Sequence, residues 1–199
     1  MSEQRRHTTT ARIIHWSFIP LYAYGILKQL NDLDDLQQEG LMLFEVLFAL
    51  TFLFIVVARY TYMKRFKTFS GARQPVHVVH RFIARSVHLG MYSSLILLPT
   101  SGLLIAALYA QGHQSTDGLW MAAALEVHGF AASLSYLLIA IHVSAAVYSR
   151  LKGEGIWSSM VPFLSEERPF EQHGWVQNMA SVEHQLYDKI EGLFSNKKS

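Results

Sequence analysis

Residues 127–148, VHGFAASLSYLLIAIHVSAAVY, indicate the class of this protein, because they are apolar enough to cross a bilayer and yet carry two histidines. A bilayer core of about 30 Å needs about 20 mostly apolar residues per helix. His128 and His142 are 14 residues apart. In a helix this separation rises about 21 Å and falls about 40° short of four full turns. The two imidazoles therefore share one face of the predicted helix and lie near opposite leaflets.

The rest of the chain has the same character. It contains 199 residues, of which 51% are hydrophobic and only 16% are charged, so it is too apolar for an ordinary soluble domain. The predicted membrane spans are residues 13–30, 40–58, 86–110 and 119–148. No small-residue cleavage site follows the first span, which is therefore expected to be retained. The sequence predicts an all-α membrane protein, a four-transmembrane-helix bundle.

Charge predicts the orientation of this bundle. Basic residues fill the segment between the second and third spans, whereas the first connecting loop is acidic. The positive-inside rule places the basic segment, and with it both termini, in the cytoplasm. Topology accounts for these charges without nucleic acid, so membrane lipid is expected as a partner and nucleic acid is not. The basic residues are Arg59, Lys64, Arg65, Lys67, Arg73, Arg81 and Arg85.

The chain divides into a transmembrane domain, residues 1–150, and a tail, residues 151–199. Glycine and proline interrupt the apolar pattern after the fourth span, and SVEHQLYDKIEGLF, residues 181–194, resumes a helical spacing of apolar residues. We predict a short cytoplasmic helical tail that lies on a surface or binds a partner. His173 and His184 are expected to be solvated.

The chain has no cysteine, which excludes disulfides, iron–sulfur clusters and a covalently attached haem. Metal chemistry must then rest on histidine, carboxylate or methionine. Five of the ten histidines lie in or beside the predicted spans, namely His15, His88, His113, His128 and His142. Such residues are costly to bury and are commonly functional, although a single one can simply hydrogen-bond a neighbouring helix.

Three of these histidines, His15, His88 and His142, are predicted at one level near the inner leaflet. Two imidazoles on facing helices form the usual axial pair of a low-potential haem inside a helical bundle. Depth alone does not select the pair, and residue counting slightly favours His15 with His88.

Three motifs add a family resemblance over about residues 11–150. RIIHW at 12–16, HLGMYSSLILLPTSG at 88–102 and the H-x13-H spacing of the fourth span resemble the bacterial cytochrome b561 family. That family is similar to the b-type cytochrome subunits of nickel–iron hydrogenase and formate dehydrogenase. The resemblance implies a multi-pass protein of the bacterial inner (cytoplasmic) membrane with haem b. It also implies that His15 and His142 hold an inner haem, and it leaves His88 for quinone binding, proton handling or support of a ligand.

The outer haem of the family is held by a histidine of the second span and the earlier histidine of the fourth. His128 matches the latter, but Glu45 stands where the former is expected. Glutamate is a poor ligand for a low-spin haem, but Glu45 remains a candidate cofactor-site residue as a proton carrier or as a carboxylate for another cation. The outer site is therefore empty, holds haem through His128 alone, or borrows His113. The sequence predicts one haem b and leaves a second open.

The resemblance implies a membrane b-type cytochrome that moves electrons between the quinone pool, with ubiquinone as one candidate, and a redox partner. Superoxide or a dehydrogenase subunit are the candidate partners, the latter through the tail. The alternative is a non-catalytic membrane anchor or assembly subunit that has lost one or both haems. Basic residues at the inner end, Arg81, Arg85, Arg150 and Lys152, either attract haem propionates or anionic lipid or only fix the topology.

Overall fold

The computed structural model describes residues 9–27, 40–64, 77–113, 115–116, 118–161 and 174–195. These ranges contain helices and connecting turns and no strand, so the predicted all-α class is confirmed for them. The helices are α1 (Thr9–Leu27), α2 (Met42–Met63), α3 (Val78–Ala110), α4 (Leu119–Lys152), α5 (Trp157–Met160) and α6 (Gly174–Ser195).

Three of these helices, α2, α3 and α4, are long and apolar enough to cross a membrane. Helix α1 has 19 residues but is not among them, because Thr9, Thr10 and Arg12 occupy its first turns and lower its hydropathy. The last part of the first predicted span, residues 28–30, lies outside the described residues. That α1 crosses the membrane, which would make four crossings, therefore stays a prediction. The cytoplasmic position of both termini also stays a prediction.

Helices α3 and α4 are longer than the predicted spans, with 33 and 34 residues. At 1.5 Å per residue each measures about 50 Å, well beyond the hydrocarbon core of about 30 Å. The added turns lie at the beginning of α3 and at the end of α4, and they carry His80, Arg81, Arg85, Arg150 and Lys152.

The chain folds as two compact units. The first, which we call the four-helix unit, comprises the described parts of Ile13–Arg65 and Gly90–Ile139. Its core contains Phe18 of α1, Phe52 and Val56 of α2 and Leu95 of α3, with Ile139 of α4 packed against them. All four long helices thus contribute to one apolar core.

The second unit, which we call the tail unit, comprises the described parts of Met1–Arg12, Phe66–Leu89 and Ala140–Ser199. Here α6 packs against the first turns of α3 and the last turns of α4. Glu183 of α6 accepts hydrogen bonds from Lys152 Nζ at 2.8 Å and from Tyr148 Oη at 3.1 Å, and its other oxygen lies 3.4 Å from His80 Nδ1. These contacts hold the tail helix in a defined position.

A second set of contacts lies further along α6. His77 Nε2 lies 2.8 Å from a carboxylate oxygen of Glu191, and its ring stacks on Tyr187 with 5.2 Å between the centroids. The helical spacing predicted at residues 181–194 is confirmed, since these residues lie within α6, which extends from Gly174 to Ser195. His184 is exposed, as expected, and His173 lies outside the described residues.

The attachment of α6 is predicted to depend on pH through Glu183. The hydrogen bond with His80, and then those with Lys152 and Tyr148, lowers the pKa of Glu183 to about 2, although burial opposes the shift. Because this pKa is depressed below its ordinary value of 4.5, its stabilising effect is complete above pH 4.5. The effect is lost as the pH falls toward 2.

Two cysteines introduced at the exposed positions Arg85 and Gln185 report this attachment, since the native chain has none. We expect the distance between spin labels at these positions to widen below pH 4.5, and Glu183→Gln to widen it already at pH 7. The exposed Glu126→Gln is the matched control and should behave as the native chain does. Identical pH profiles for Glu183→Gln and the native chain would contradict this role of Glu183.

Candidate functional site

His128 of α4 is held by a serine and a glycine of α3, all within the four-helix unit. Ser101 Oγ lies 3.1 Å from His128 Nδ1, and its own hydrogen is directed to the carbonyls of Leu97 and Leu98 at 2.7 and 2.9 Å. A hydroxyl has one hydrogen to donate, so Ser101 accepts a hydrogen bond from Nδ1–H. This geometry assigns the proton to Nδ1 and leaves the Nε2 lone pair for a ligand, as is usual for metal-bound imidazole.

The absence of a side chain at Gly102 leaves room for the His128 ring. A Cβ atom at position 102 would lie 3.3 Å from Cε1 and 3.6 Å from Nδ1 of His128. The sequence analysis did not single out Ser101 or Gly102, although both belong to the motif at residues 88–102. Their role depends on a neighbouring helix and is not visible in the motif itself.

Glu45 and His113, the two residues considered for the outer site, lie in different surroundings within the four-helix unit. Glu45 is in the first turn of α2, and its Oε1 atom is buried. A carboxylate at this position also interacts favourably with the helix dipole. His113 is exposed after the end of α3, where its backbone N–H donates to the carbonyl of Leu108 at 3.0 Å. A ligand role for either residue stays a prediction.

His15 of α1 contacts an arginine of α2. Arg59 Nη2 donates a hydrogen bond to His15 Nδ1. Arginine has no acceptor, so this contact assigns the imidazole proton to Nε2, the reverse of the arrangement at His128. Arg59 is 8% exposed, and its guanidinium carbon lies 5.4 Å from the ring centroid of Phe18 and 5.7 Å from that of Tyr92.

The sequence analysis counted Arg59 only among the basic residues that orient the bundle. The structure adds that its side chain is buried and contacts His15, a predicted haem ligand. Its position inside α2, and not in the loop that follows, is the signal that could have revealed this. The boundary of the second predicted span at residue 58 placed Arg59 outside the helix, whereas α2 continues to Met63.

His88 and His142 come together in the tail unit. Their ring centroids are 5.1 Å apart with the ring planes at 64°, an edge-on contact between α3 and α4. Both line an open cavity of about 600 Å³ whose walls are formed by α3, α4 and α6. Small-molecule and cofactor sites have volumes of about 300–1,000 Å³.

The walls of this cavity are mostly apolar. Helix α6 contributes Met179, Val182 and Leu186 to them, while His80 and Glu183 provide polar groups. His15 lies in the four-helix unit and His142 in the tail unit. The predicted pairing of His15 with His142 through one iron therefore stays a prediction.

These residues suit haem b. Imidazole is its usual protein ligand, the His128 tautomer leaves a lone pair for iron, and the cavity at His142 has the size and apolar lining of a cofactor site. A buried arginine beside His15 adds a positive charge of the kind that pairs with carboxylates.

Comparison with known families agrees with this chemistry. The family model for prokaryotic cytochrome b561 matches residues 6–163, which is most of the chain, so the chain belongs to the prokaryotic cytochrome b561 family. Membership makes it a membrane b-type cytochrome that binds haem b and takes part in electron transfer. No curated protein and no solved structure matches the chain. Helix α6 begins at Gly174, beyond the matched region.

Because Gly102 lies close to His128, replacing glycine by alanine is predicted to change the unfolding temperature in opposite directions at Gly102 and at Gly129. Alanine is favoured over glycine in a helix by about 1 kcal/mol. Gly129→Ala adds a methyl group with nothing within 4 Å and should raise the unfolding temperature, whereas Gly102→Ala crowds the His128 ring and should lower it. Thermal unfolding in detergent measures both. An equal rise for the two variants would show that the His128 ring has room to move.

Proposed function

We propose that this protein transfers electrons between the quinone pool and a redox partner through a haem b held by His15 and His142. The observation that carries the proposal is the placement of His142 and His88 on one cofactor-sized, mostly apolar cavity in a chain of the cytochrome b561 family. Ubiquinone is the candidate quinone, and superoxide or a dehydrogenase subunit is the candidate partner. The proposed location is the bacterial inner membrane, crossed four times with both termini in the cytoplasm.

Bound haem supplies one-electron chemistry at a potential set by its axial ligands and its surroundings. The chain's own residues have the remaining tasks. His15 and His142 would offer neutral imidazole nitrogens to the iron, and the apolar residues of α3, α4 and α6 would give the cofactor a mostly apolar surround. His88, in edge contact with His142, fixes that ring or carries a proton beside it.

Quinone chemistry couples electrons to protons, so a quinone site needs an apolar pocket with titratable groups at its edge. The cavity in the tail unit has both, because His80 and Glu183 line it beside His88. Glu183 connects through Lys152 to Glu154, which lies 2.6 Å from the Lys152 ammonium. These charged groups support a proton route between the cavity and water.

The outer site of this chain is proposed to differ from that of its family. His128 has a tautomer suited to ligation, and Glu45 replaces the second imidazole. If this position cannot hold a low-spin haem, the protein carries one haem. A second candidate function, a non-catalytic anchor or assembly subunit that has lost one or both haems, is favoured by the same replacement, and it predicts a colourless protein where both haems are lost.

Single alanine substitutions test the assignment of ligands. His15→Ala and His142→Ala should each abolish the low-spin haem signal in a reduced-minus-oxidised spectrum, because each removes one axial nitrogen. His88→Ala should retain that signal with a changed reduction potential. His184→Ala, at an exposed position on α6, is the control. Loss of the signal in His88→Ala with retention in His15→Ala would assign the iron to the other pair.

A gain-of-ligand variant tests the outer site. Glu45→His restores the residue type that the family has there, and we expect the ratio of haem to protein to rise from one to two. Glu126→His, at an exposed position two residues before His128 on α4, is the matched control and should leave the ratio at one. A ratio of one in Glu45→His would mean that more than the ligand distinguishes this site from that of the family.

A further inference from the structure

Arg59 is a buried cation whose described neighbours are neutral. Its guanidinium donates to His15 Nδ1, lies over the rings of Phe18 and Tyr92 and is hydrogen-bonded to the Tyr92 side chain, and no ion pair of Arg59 occurs within the described residues. The Nε atom is buried and has no hydrogen-bond partner there. Arg59 therefore has donor capacity that its surroundings do not use.

A guanidinium stays protonated in proteins, so Arg59 cannot avoid the cost of burial by losing its charge. Buried charges are normally paired with an opposite charge and hydrogen-bonded. Carboxylates match the planar fork of donors on arginine and accept two parallel hydrogen bonds from it. The environment of Arg59 thus suits a carboxylate brought by a ligand.

The hydrogen bonding of His15 also indicates that Arg59 needs another partner when the cofactor is bound. A metal-bound imidazole usually donates its second N–H to an acceptor. Arg59 offers only donors to His15 Nδ1, so the contact seen here and iron ligation through Nε2 by an ordinary neutral imidazole exclude each other. If His15 is a ligand, Arg59 needs a different partner.

We propose that Arg59 binds a propionate carboxylate of haem b, and that it exchanges His15 for this carboxylate when the cofactor is bound. The proposal rests on the proposed function, in which His15 is an axial ligand. It assigns a cofactor-binding role to a residue on α2, and it explains why a permanent charge lies inside the four-helix unit. Arg59 acts as a binding residue for the carboxylate and leaves His15 able to donate through Nδ1.

The test compares two cofactors in the full-length protein in lipid nanodiscs. Haem b carries two propionate carboxylates, and its dimethyl ester carries none. The native protein should bind haem b at least roughly tenfold more tightly than the ester, since a charge-assisted hydrogen-bonded pair is worth about this much. Arg59→Gln should remove most of the preference, and Arg59→Lys should retain part of it.

Lys64→Gln is the control, because Lys64 is an exposed cation just beyond the end of the same helix, and it should keep the native preference. A second readout is the ¹⁵N spectrum of His15 in the haem-loaded native protein, which should show a protonated Nδ1. This readout holds even if the Arg59 variants fail to fold.

The outcomes separate the two proposals. A preference for haem b over its dimethyl ester that is equal in the native protein and in Arg59→Gln overturns the role of Arg59 and leaves haem binding intact. An unprotonated Nδ1 on iron-bound His15 does the same. Failure of the native protein to bind haem b overturns the proposed function together with this inference.

Discussion

The direction of hydrogen bonds on the half-buried imidazoles is the constraint on which the account of this protein depends. A neutral histidine offers a lone pair to iron from one nitrogen when its other nitrogen carries the proton, and a hydrogen-bond acceptor beside that other nitrogen fixes the proton there. His128 meets this condition through Ser101, whereas His15 faces the donor Arg59. His142 contacts His88 on the wall of a cavity. All three histidines are predicted to bind haem iron, and they thus differ in the hydrogen bonds that decide which nitrogen is free to do so.

Helix α6 contributes to the candidate site although the family model does not cover it. It lies beyond the matched residues 6–163, yet it forms part of the cavity that His88 and His142 line. Glu183 attaches α6 through hydrogen bonds from Tyr148 and Lys152 and through a contact with His80. These contacts replace water around the Glu183 carboxylate, which is only 18% exposed. A tail of this kind changes the access of water and of small molecules to the cavity. It therefore belongs to the candidate site and is not only a connection to partners.

Much of the fold could be predicted from apolar runs, because helix length in a bilayer follows from its thickness. The tail helix also followed from its apolar spacing. The added turns of α3 and α4 could not be predicted, since residues such as His80 and Lys152 stay helical through contacts with α6, far away in sequence. The burial of Arg59 and the proton positions on His15 and His128 depend on neighbouring helices, which no local pattern encodes. The resemblance to the family supplied the assignment of haem ligands. At Glu45 the sequence departs from the family, so the resemblance does not predict what this residue does.

The central proposal is that one iron is bound by His15 of α1 and His142 of α4. His15 contacts Arg59 in the four-helix unit, and His142 lines the cavity of the tail unit. An experimental structure of the haem-loaded protein tests this claim most directly. The account predicts density for one haem with its iron bound by nitrogens of His15 and His142. Iron bound by His88 in place of either residue, or His15 turned toward lipid with Arg59 still on its Nδ1 atom, would contradict it.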